Sequence, residues 1–130
     1  MSIDTLKIIS EAMNEMGLAY GFGRYTPPTG LPVPDPYFVG EYQEMIPTTE
    51  DGMQESTFLL TGFGRGSWLQ LENARELIQF YFNRVSGRTV ITDNGSAVAV
   101  FYTNSLIVPT NDAELKRIQI NLNIKEWKVN

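Results

Sequence analysis

A strict alternation of apolar and polar residues near the end of the chain constrains the fold most. Successive side chains of a β-strand point to opposite faces, so residues 117–125 are predicted to form a strand with one buried and one polar face. The apolar positions are Ile118, Ile120, Leu122 and Ile124, and the polar positions are Arg117, Gln119, Asn121, Asn123 and Lys125. Near Glu126 the pattern changes, because Trp127 and Val129 fall on the polar side. A bulge or a contact with another chain would explain this change.

Two stretches with apolar residues spaced three and four apart predict helices. The first has Leu6, Ile9 and Met13 on one face over about fourteen residues, with Ser2 or Asp4 as its N-cap and Gly17 as its left-handed stop. The second begins at Ser67, which has capping-box spacing to Gln70. Its predicted buried face consists of Leu71, Ala74, Leu77, Ile78 and Tyr81.

The remaining patterns predict strands and complete the fold class. Strands are predicted at 18–22, 37–46, 56–63, 88–92, 97–102 (extended by 106–108) and 117–125. Asn94-Gly95 is a strong hairpin-turn signal, and five prolines over 27–36 predict an extended surface loop. The prediction is a single α+β domain over residues 1–130, a mainly antiparallel sheet with two helices packed on it, in the order α-β-β-β-α-β-β-β.

All of the net negative charge lies in one part of the sequence. Between Arg24 and Arg65 there is no Lys or Arg, although the net charge of the whole chain is only −5. The acidic residues of this segment are Asp35, Glu41, Glu44, Glu50, Asp51 and Glu55. Most of them fall in a predicted hairpin over residues 41–56. An acidic hairpin on a nearly neutral body indicates a surface that meets or avoids a partner.

The composition excludes several classes of catalytic site. The chain has no Cys, which excludes disulfides, thiolate metal sites and cysteine nucleophiles. It has no His, the commonest general base and metal ligand at neutral pH. The ten Lys and Arg residues are scattered, which disfavours sequence-independent binding of nucleic acid. No apolar run approaches the ~20 residues of a membrane span. We therefore expect no catalytic residues, no cofactor and no metal.

Two alternative sites remain open at this point. Residues 62–67, Gly-Phe-Gly-Arg-Gly-Ser, lie between a predicted strand and helix, where phosphate-binding loops occur, but the Lys of a P-loop is missing. A tight turn that ends in the Ser67 cap is the simpler interpretation. Glu50 and Asp51 could bind a divalent cation, although loop carboxylates without further ligands are usually solvated.

The order of elements and several short segments resemble the tail terminator, or tail-completion, proteins of long-tailed bacteriophages. The resemblance lies in a strand at Tyr37, an acidic turn at 48–52, a strand at 55–58 and Gly66-Ser67-Trp68 opening a helix. The ending over 112–127 is similar to the long last strand of those proteins. The long proline-rich loop before Tyr37 departs from their pattern.

The resemblance implies a small α+β protomer that closes into a ring, commonly a hexamer, at the head-proximal end of the tail tube. Such a ring ends tail growth and joins tail to head. Its partners would be copies of itself, the tail tube protein and the head-completion or connector protein. Genome DNA would pass through without specific binding, and no membrane is involved. The chain would then be a non-enzymatic structural protein of a phage or prophage, located in the virion tail after assembly in the host cytoplasm.

Candidate contact residues come from the acidic hairpin and the last strand. They are Glu41, Glu44, Glu50, Asp51, Glu55, Arg117, Gln119, Asn121 and Trp127. The hairpin could reach a neighbouring subunit, the tube or the bore, where like charge would let DNA slide without sticking. The alternative function is another small phage minor tail, head–tail joining or assembly protein, or a non-catalytic protein-binding module.

Overall fold

A six-stranded sheet with two helices forms the part of the chain that the structure describes. The computed structural model describes residues 1–44 and 52–127. The elements are α1 (Ile3–Glu15), β1 (Ala19–Phe22), β2 (Tyr37–Glu44), β3 (Met53–Gly64), α2 (Trp68–Tyr81), β4 (Arg88–Ile91), β5 (Ala97–Ile107) and β6 (Lys116–Trp127). The predicted α+β class and order of elements are confirmed. In space the strands follow the order β1-β2-β3-β6-β5-β4.

The centre of the sheet is the antiparallel pair of β3 and β6. These strands stay in register over their whole length, from Met53 opposite Trp127 to Gly64 opposite Lys116. Their even-numbered residues point to one face, and those from 56 to 64 and from 118 to 126 are buried there. The fully buried side chains of this pair are Phe58, Leu60, Ile118, Ile120, Leu122 and Ile124. The alternation in the sequence thus predicts the inward face of β6 correctly.

Both helices contribute to the core on the even-numbered face. Ile9 and Met13 of α1 and Leu71 and Ile78 of α2 belong to the same buried cluster as the inward side chains of the strands. Ser2 caps α1 by accepting from the Thr5 N–H. In the described chain no helix lies on the opposite face, which we call the open face. It carries the odd-numbered side chains of β2, β3 and β6.

The sheet is mixed rather than antiparallel throughout, and it differs from the prediction at one edge. β1 pairs with β2 in parallel, with Ala19 opposite Tyr37, whereas the other four strand pairings are antiparallel. Adjacent parallel strands need a connection of about a dozen residues to return the chain to the same end. Residues 23–36, which include the proline-rich loop, supply this connection.

No bulge interrupts β6 near Glu126, so the change in pattern there has another cause. Glu126 takes the next inward position after Ile124 and is only 2% exposed. Its Oε1 accepts hydrogen bonds from the Ser2 N–H at 3.2 Å, the Ser2 hydroxyl at 3.0 Å and the Thr5 hydroxyl. Glu126 therefore replaces an apolar residue because it joins the start of α1 to the end of β6.

Replacing Glu126 with Ala should destabilise the fold. The change removes the acceptor of three donors, one of them the buried Thr5 hydroxyl, and an unsatisfied buried donor costs about 1–3 kcal/mol. We expect the free energy of unfolding in urea to fall by about 2 kcal/mol. Glu11→Ala, at an exposed position of α1, should change it by less than about 0.5 kcal/mol. Equal effects of the two substitutions would contradict a structural role for Glu126.

Tyr20 makes the stability of the fold depend on pH in the alkaline range. Its hydroxyl is buried without a hydrogen-bond partner among the described residues, and burial raises its pKa from 10.0 to about 12. The unfolded chain therefore loses this proton first, so stability falls as the pH rises from 10 towards 12. Tyr20→Phe should reduce this loss and leave stability at pH 7 unchanged or slightly higher. Urea unfolding at pH 7 and pH 11 tests this, and an unchanged pH dependence in the variant would contradict it.

Candidate interaction surface

A row of three aromatic rings and one guanidinium crosses the open face. Tyr37, Phe63 and Arg117 are direct neighbours across β2, β3 and β6. The Tyr37 and Phe63 ring centroids are 5.2 Å apart, and Tyr25 continues the row with its centroid 5.5 Å from that of Tyr37. The Arg117 Cζ lies 5.6 Å from the Phe63 centroid. Such stacked contacts hold side chains in place at roughly 0.5–1.5 kcal/mol each. The row is a fixed, half-buried surface.

Arg117 retains hydrogen-bonding capacity on this surface. Its Nε is buried and has no hydrogen-bond partner within the described residues. Together with Glu41 it lines an open cavity of about 350 Å³ beside Tyr37. The remaining nitrogens of the half-buried guanidinium can donate to a carboxylate or carbonyl of a bound partner. The choice of Arg117 as a contact residue stays a prediction.

Amide side chains follow Arg117 on the open face of β6 and form, with it, a polar column. Gln119 Nε2 donates to Asn121 Oδ1 at 3.0 Å, and Asn121 Nδ2 donates to Asn104 Oδ1 at 2.6 Å. A register shift in β5 between Tyr102 and Asn104 brings Asn104 opposite Asn121. The three predicted residues Arg117, Gln119 and Asn121 thus share one face. Two of them are already hydrogen-bonded within the chain.

The predicted acidic residues do not form one cluster. Glu41 is exposed on β2, opposite Leu59. The Glu44 carboxylate forms an ion pair with the N-terminal ammonium of Met1. Glu55 lies half-buried on β3, directly opposite Lys125 of β6. Glu50 and Asp51 lie outside the described residues. Of the acids that can be placed, Glu41 is exposed and lies on the open face.

Trp127 lies at the end of the sheet where β3 begins. It is half-buried and stands between Met53 of β3 and Ala97 of β5. The strands on both sides of it belong to this chain, and its choice as a contact residue stays a prediction. The sequence pattern alone did not distinguish this position from a contact with another chain.

A groove lies beside β5, beyond the residues of β5 that pair with β4. This groove, which we call the β5 groove, is open and has a volume of about 700 Å³. Arg84 and Lys125 line it, and none of its lining residues is acidic. Arg84 Nη2 donates to the Thr103 carbonyl at 2.9 Å, and Lys125 Nζ lies 5.7 Å from the Phe101 ring centroid. Sequence analysis missed this groove because its residues come from three separate segments.

Helix α2 exposes an apolar stripe that the sequence analysis also missed. Leu69, Leu77 and Phe80 are 69%, 40% and 83% exposed, respectively. The prediction that Leu77 belongs to the buried face is wrong, because Leu71, Ala74 and Ile78 fill that face. Spacings of eight and three residues place the three exposed side chains within a quadrant of the helix. The spacing of these three residues was visible in the sequence beside the spacing of the buried residues.

The glycine-rich segment before α2 is occupied by a carboxylate of the same chain. The Arg65 N–H donates to Asp35 Oδ1 at 3.1 Å, and the Arg65 guanidinium pairs with Asp112 at 2.9 Å. Hydrogen bonding from the Glu114 N–H and from Arg65 lowers the pKa of Asp112. Ser67 accepts from the Gln70 N–H and caps the helix. This arrangement favours the tight-turn interpretation over phosphate binding.

No metal-binding cluster of three or more acidic residues occurs in the described ranges, 1–44 and 52–127. Within the same residues, neither helix has the length and apolar character needed to cross a bilayer.

Exchanging the charges of Glu55 and Lys125 tests whether this pair acts within the chain. Opposite charges directly across an antiparallel pair contribute roughly 0.2–1 kcal/mol, and like charges destabilise. Glu55→Lys alone should lower the free energy of unfolding by about 0.5–1 kcal/mol, and adding Lys125→Glu should restore most of it. Thermal unfolding of both single variants and the double variant measures this coupling. If the losses of stability in the two single variants simply add in the double variant, Glu55 and Lys125 do not stabilise each other.

Comparison with known proteins gives a fold but no family. No protein-family model matches the chain, and no curated protein matches it. Six chains of solved structures do match. One of them is similar over 100% of this chain and 99% of its own length, with a TM-score of 0.59 and 17% sequence identity. The name of that protein describes no function. At this identity, the likeness shows that the two proteins share a fold over their full length.

Proposed function

We propose that this chain is a structural protein of a long-tailed phage or prophage. In this proposal it forms a ring at the head-proximal end of the tail tube, which ends tail growth and joins tail to head. The observation that carries the proposal is the division of the sheet into a helix-covered face and an open face with fixed, half-buried contact groups. A ring needs two different surfaces on each protomer, because its contacts are heterologous.

The acidic segment suits the bore of such a ring. Glu41 is exposed on β2, and Glu50 and Asp51 follow in the sequence between β2 and β3. Carboxylates around a bore repel the phosphates of DNA, so that the genome passes without binding. The proposal places the ring in the virion tail and gives it no catalytic step, cofactor or metal.

The apolar stripe on α2 supports contact with other tail or head proteins. Leu77 and Phe80 are exposed one turn apart on α2, and neighbouring exposed apolar side chains mark contact surfaces. In the ring, the stripe would face the tail tube protein or the head connector. The same observation favours the second candidate function, a non-catalytic protein-binding module or another small tail assembly protein.

Reversing the hairpin charges tests the ring proposal. Glu50→Lys with Asp51→Lys replaces two carboxylates by ammonium groups, which should attract DNA or disturb the hairpin contact. We expect loss of the ring-sized species in light scattering, or a fall of tenfold or more in infectious particles when the variant complements a phage lacking the gene.

The control is Glu11→Lys with Glu114→Lys, two exposed acids outside the hairpin. It makes the same change in net charge and should leave assembly and infectivity unchanged. Normal assembly and infectivity of the hairpin variant would reject the role of the hairpin. If phage that lack the gene still join tails to heads, the proposed function is rejected as a whole.

A further inference from the structure

Two arginines beside Tyr37 have no ion-pair partner on the open face. Arg24 and Arg117 line the same cavity of about 350 Å³, which we call the open-face cavity. Neither guanidinium forms an ion pair with a carboxylate of residues 1–44 and 52–127. Arg65 differs from them, because it pairs with Asp112. The open-face cavity therefore presents cationic groups that the described part of the chain does not neutralise.

The carboxylate of Glu41 also lines the open-face cavity, but it stands apart from Arg117 along the strands. Glu41 lies opposite Leu59, whereas Arg117 lies opposite Phe63. These positions are four residues apart on β3, which corresponds to about 13 Å of backbone. The lining residues include two guanidiniums and one carboxylate, so the cavity has a positive net charge in a chain whose net charge is −5. Such a cavity attracts an anion.

The aromatic row gives the same cavity an apolar wall. Tyr25, Tyr37 and Phe63 all line it, and successive ring centroids in the row are 5.5 Å and 5.2 Å apart. The Arg117 guanidinium lies beside Phe63 at one end of the row. Arg24 directly precedes Tyr25 at the other end. Rings that already hold one another in place lose little freedom when a ligand binds, and a further aromatic group can pack against them edge to face.

Arg117 can form the paired hydrogen bonds that a carboxylate accepts. Its Nε is buried, which leaves the two terminal nitrogens of the half-buried guanidinium for a ligand. Each terminal nitrogen carries two N–H groups, and arginine commonly binds a carboxylate through two parallel hydrogen bonds. A lysine at this position would present one ammonium and could not form that pair.

We propose that the open-face cavity binds a carboxylate that has an aromatic group within a few bonds of it. The carboxylate pairs with Arg117, the aromatic group packs against Tyr37 and Phe63, and Arg24 adds a second attractive charge. The volume of about 350 Å³ suits a ligand of this size, since small-molecule cavities span roughly 300–1,000 Å³. This inference goes beyond the proposed ring, because it names the chemistry of a ligand and does not depend on what the chain assembles into.

A matched pair of small probes tests the ligand chemistry. N-acetylphenylalanine has the carboxylate and the ring, whereas N-acetylphenylalanine amide keeps the ring and lacks the negative charge. We expect the acid to shift the backbone amide NMR signals around Phe63 and Arg117 in a saturable manner, and the amide to bind at least about tenfold more weakly. Equal binding of the acid and the amide would overturn the proposal. Absence of saturation by the acid up to about 10 mM would do the same.

Substitutions of the two arginines test their separate roles. Arg117→Gln should weaken binding of the acid about tenfold, and Arg117→Lys should recover only part of this loss, because it keeps the charge without the paired donors. Arg24→Gln, at an exposed position, should weaken binding about threefold. Lys7→Gln, at an exposed position of α1, is the control for loss of one positive charge and should change affinity less than about twofold. Wild-type affinity in both Arg24→Gln and Arg117→Lys would overturn the site, and thermal unfolding checks that each variant is folded.

Two further probes distinguish the source of the carboxylate. 3-Phenylpropionate is a free small acid, whereas a peptide with both ends blocked and a central glutamate followed by phenylalanine carries the carboxylate on a side chain. Tighter binding of the blocked peptide would assign the cavity to a segment of a protein partner. Tighter binding of the free acid would assign it to a small molecule or the end of a chain, and either result supports the proposed chemistry. Binding of a single-stranded thymidine oligonucleotide in place of both acids would overturn it.

Discussion

The pairing of β3 with β6 is the constraint on which the rest of the structure depends. It brings the inward side chains of two long strands side by side and creates the apolar surface that both helices cover. Each fully buried Leu, Ile or Phe side chain contributes about 1.5–3 kcal/mol. A helix cap such as Ser67 contributes about 1 kcal/mol. Burial on this surface therefore stabilises the fold more than the caps do, and the positions of α1, α2, β2 and β5 follow from it.

The parts of the fold that could be predicted are those in which the spacing of apolar residues shows which face of a helix or strand is buried. The alternation around Ile120 and the three- and four-residue spacing around Ile9 identify elements whose one face is buried. The parallel pairing of β1 was not predictable, because the direction of a short strand depends on the path of the loop that follows it. Glu126 was also missed, since its partners, Ser2 and Thr5, lie at the other end of the sequence. The pattern reports which face is buried but not which distant residues contact a polar group there.

The contact surface was predictable only in part, for a related reason. The polar column Arg117, Gln119 and Asn121 follows directly from strand parity. The aromatic row and the β5 groove depend on neighbours across strands, which no local pattern contains. The acidic residues show the same limit. They are close in sequence and similar in chemistry, yet Glu44 and Glu55 lie beside cationic groups of their own chain while Glu41 stays exposed.

The position of β6 in the sequence has a consequence for synthesis on the ribosome. β6 is the central neighbour of both β3 and β5, but it is translated after both of them. Until it emerges, Phe58 and Leu60 on β3 and Val100 on β5 have no strand between them, and the nascent chain exposes apolar surface that is buried only afterwards. Late closure of long-range strand pairs slows folding and favours aggregation of incomplete chains. Premature termination before residue 116 would leave two separate groups of strands rather than a shortened version of the fold.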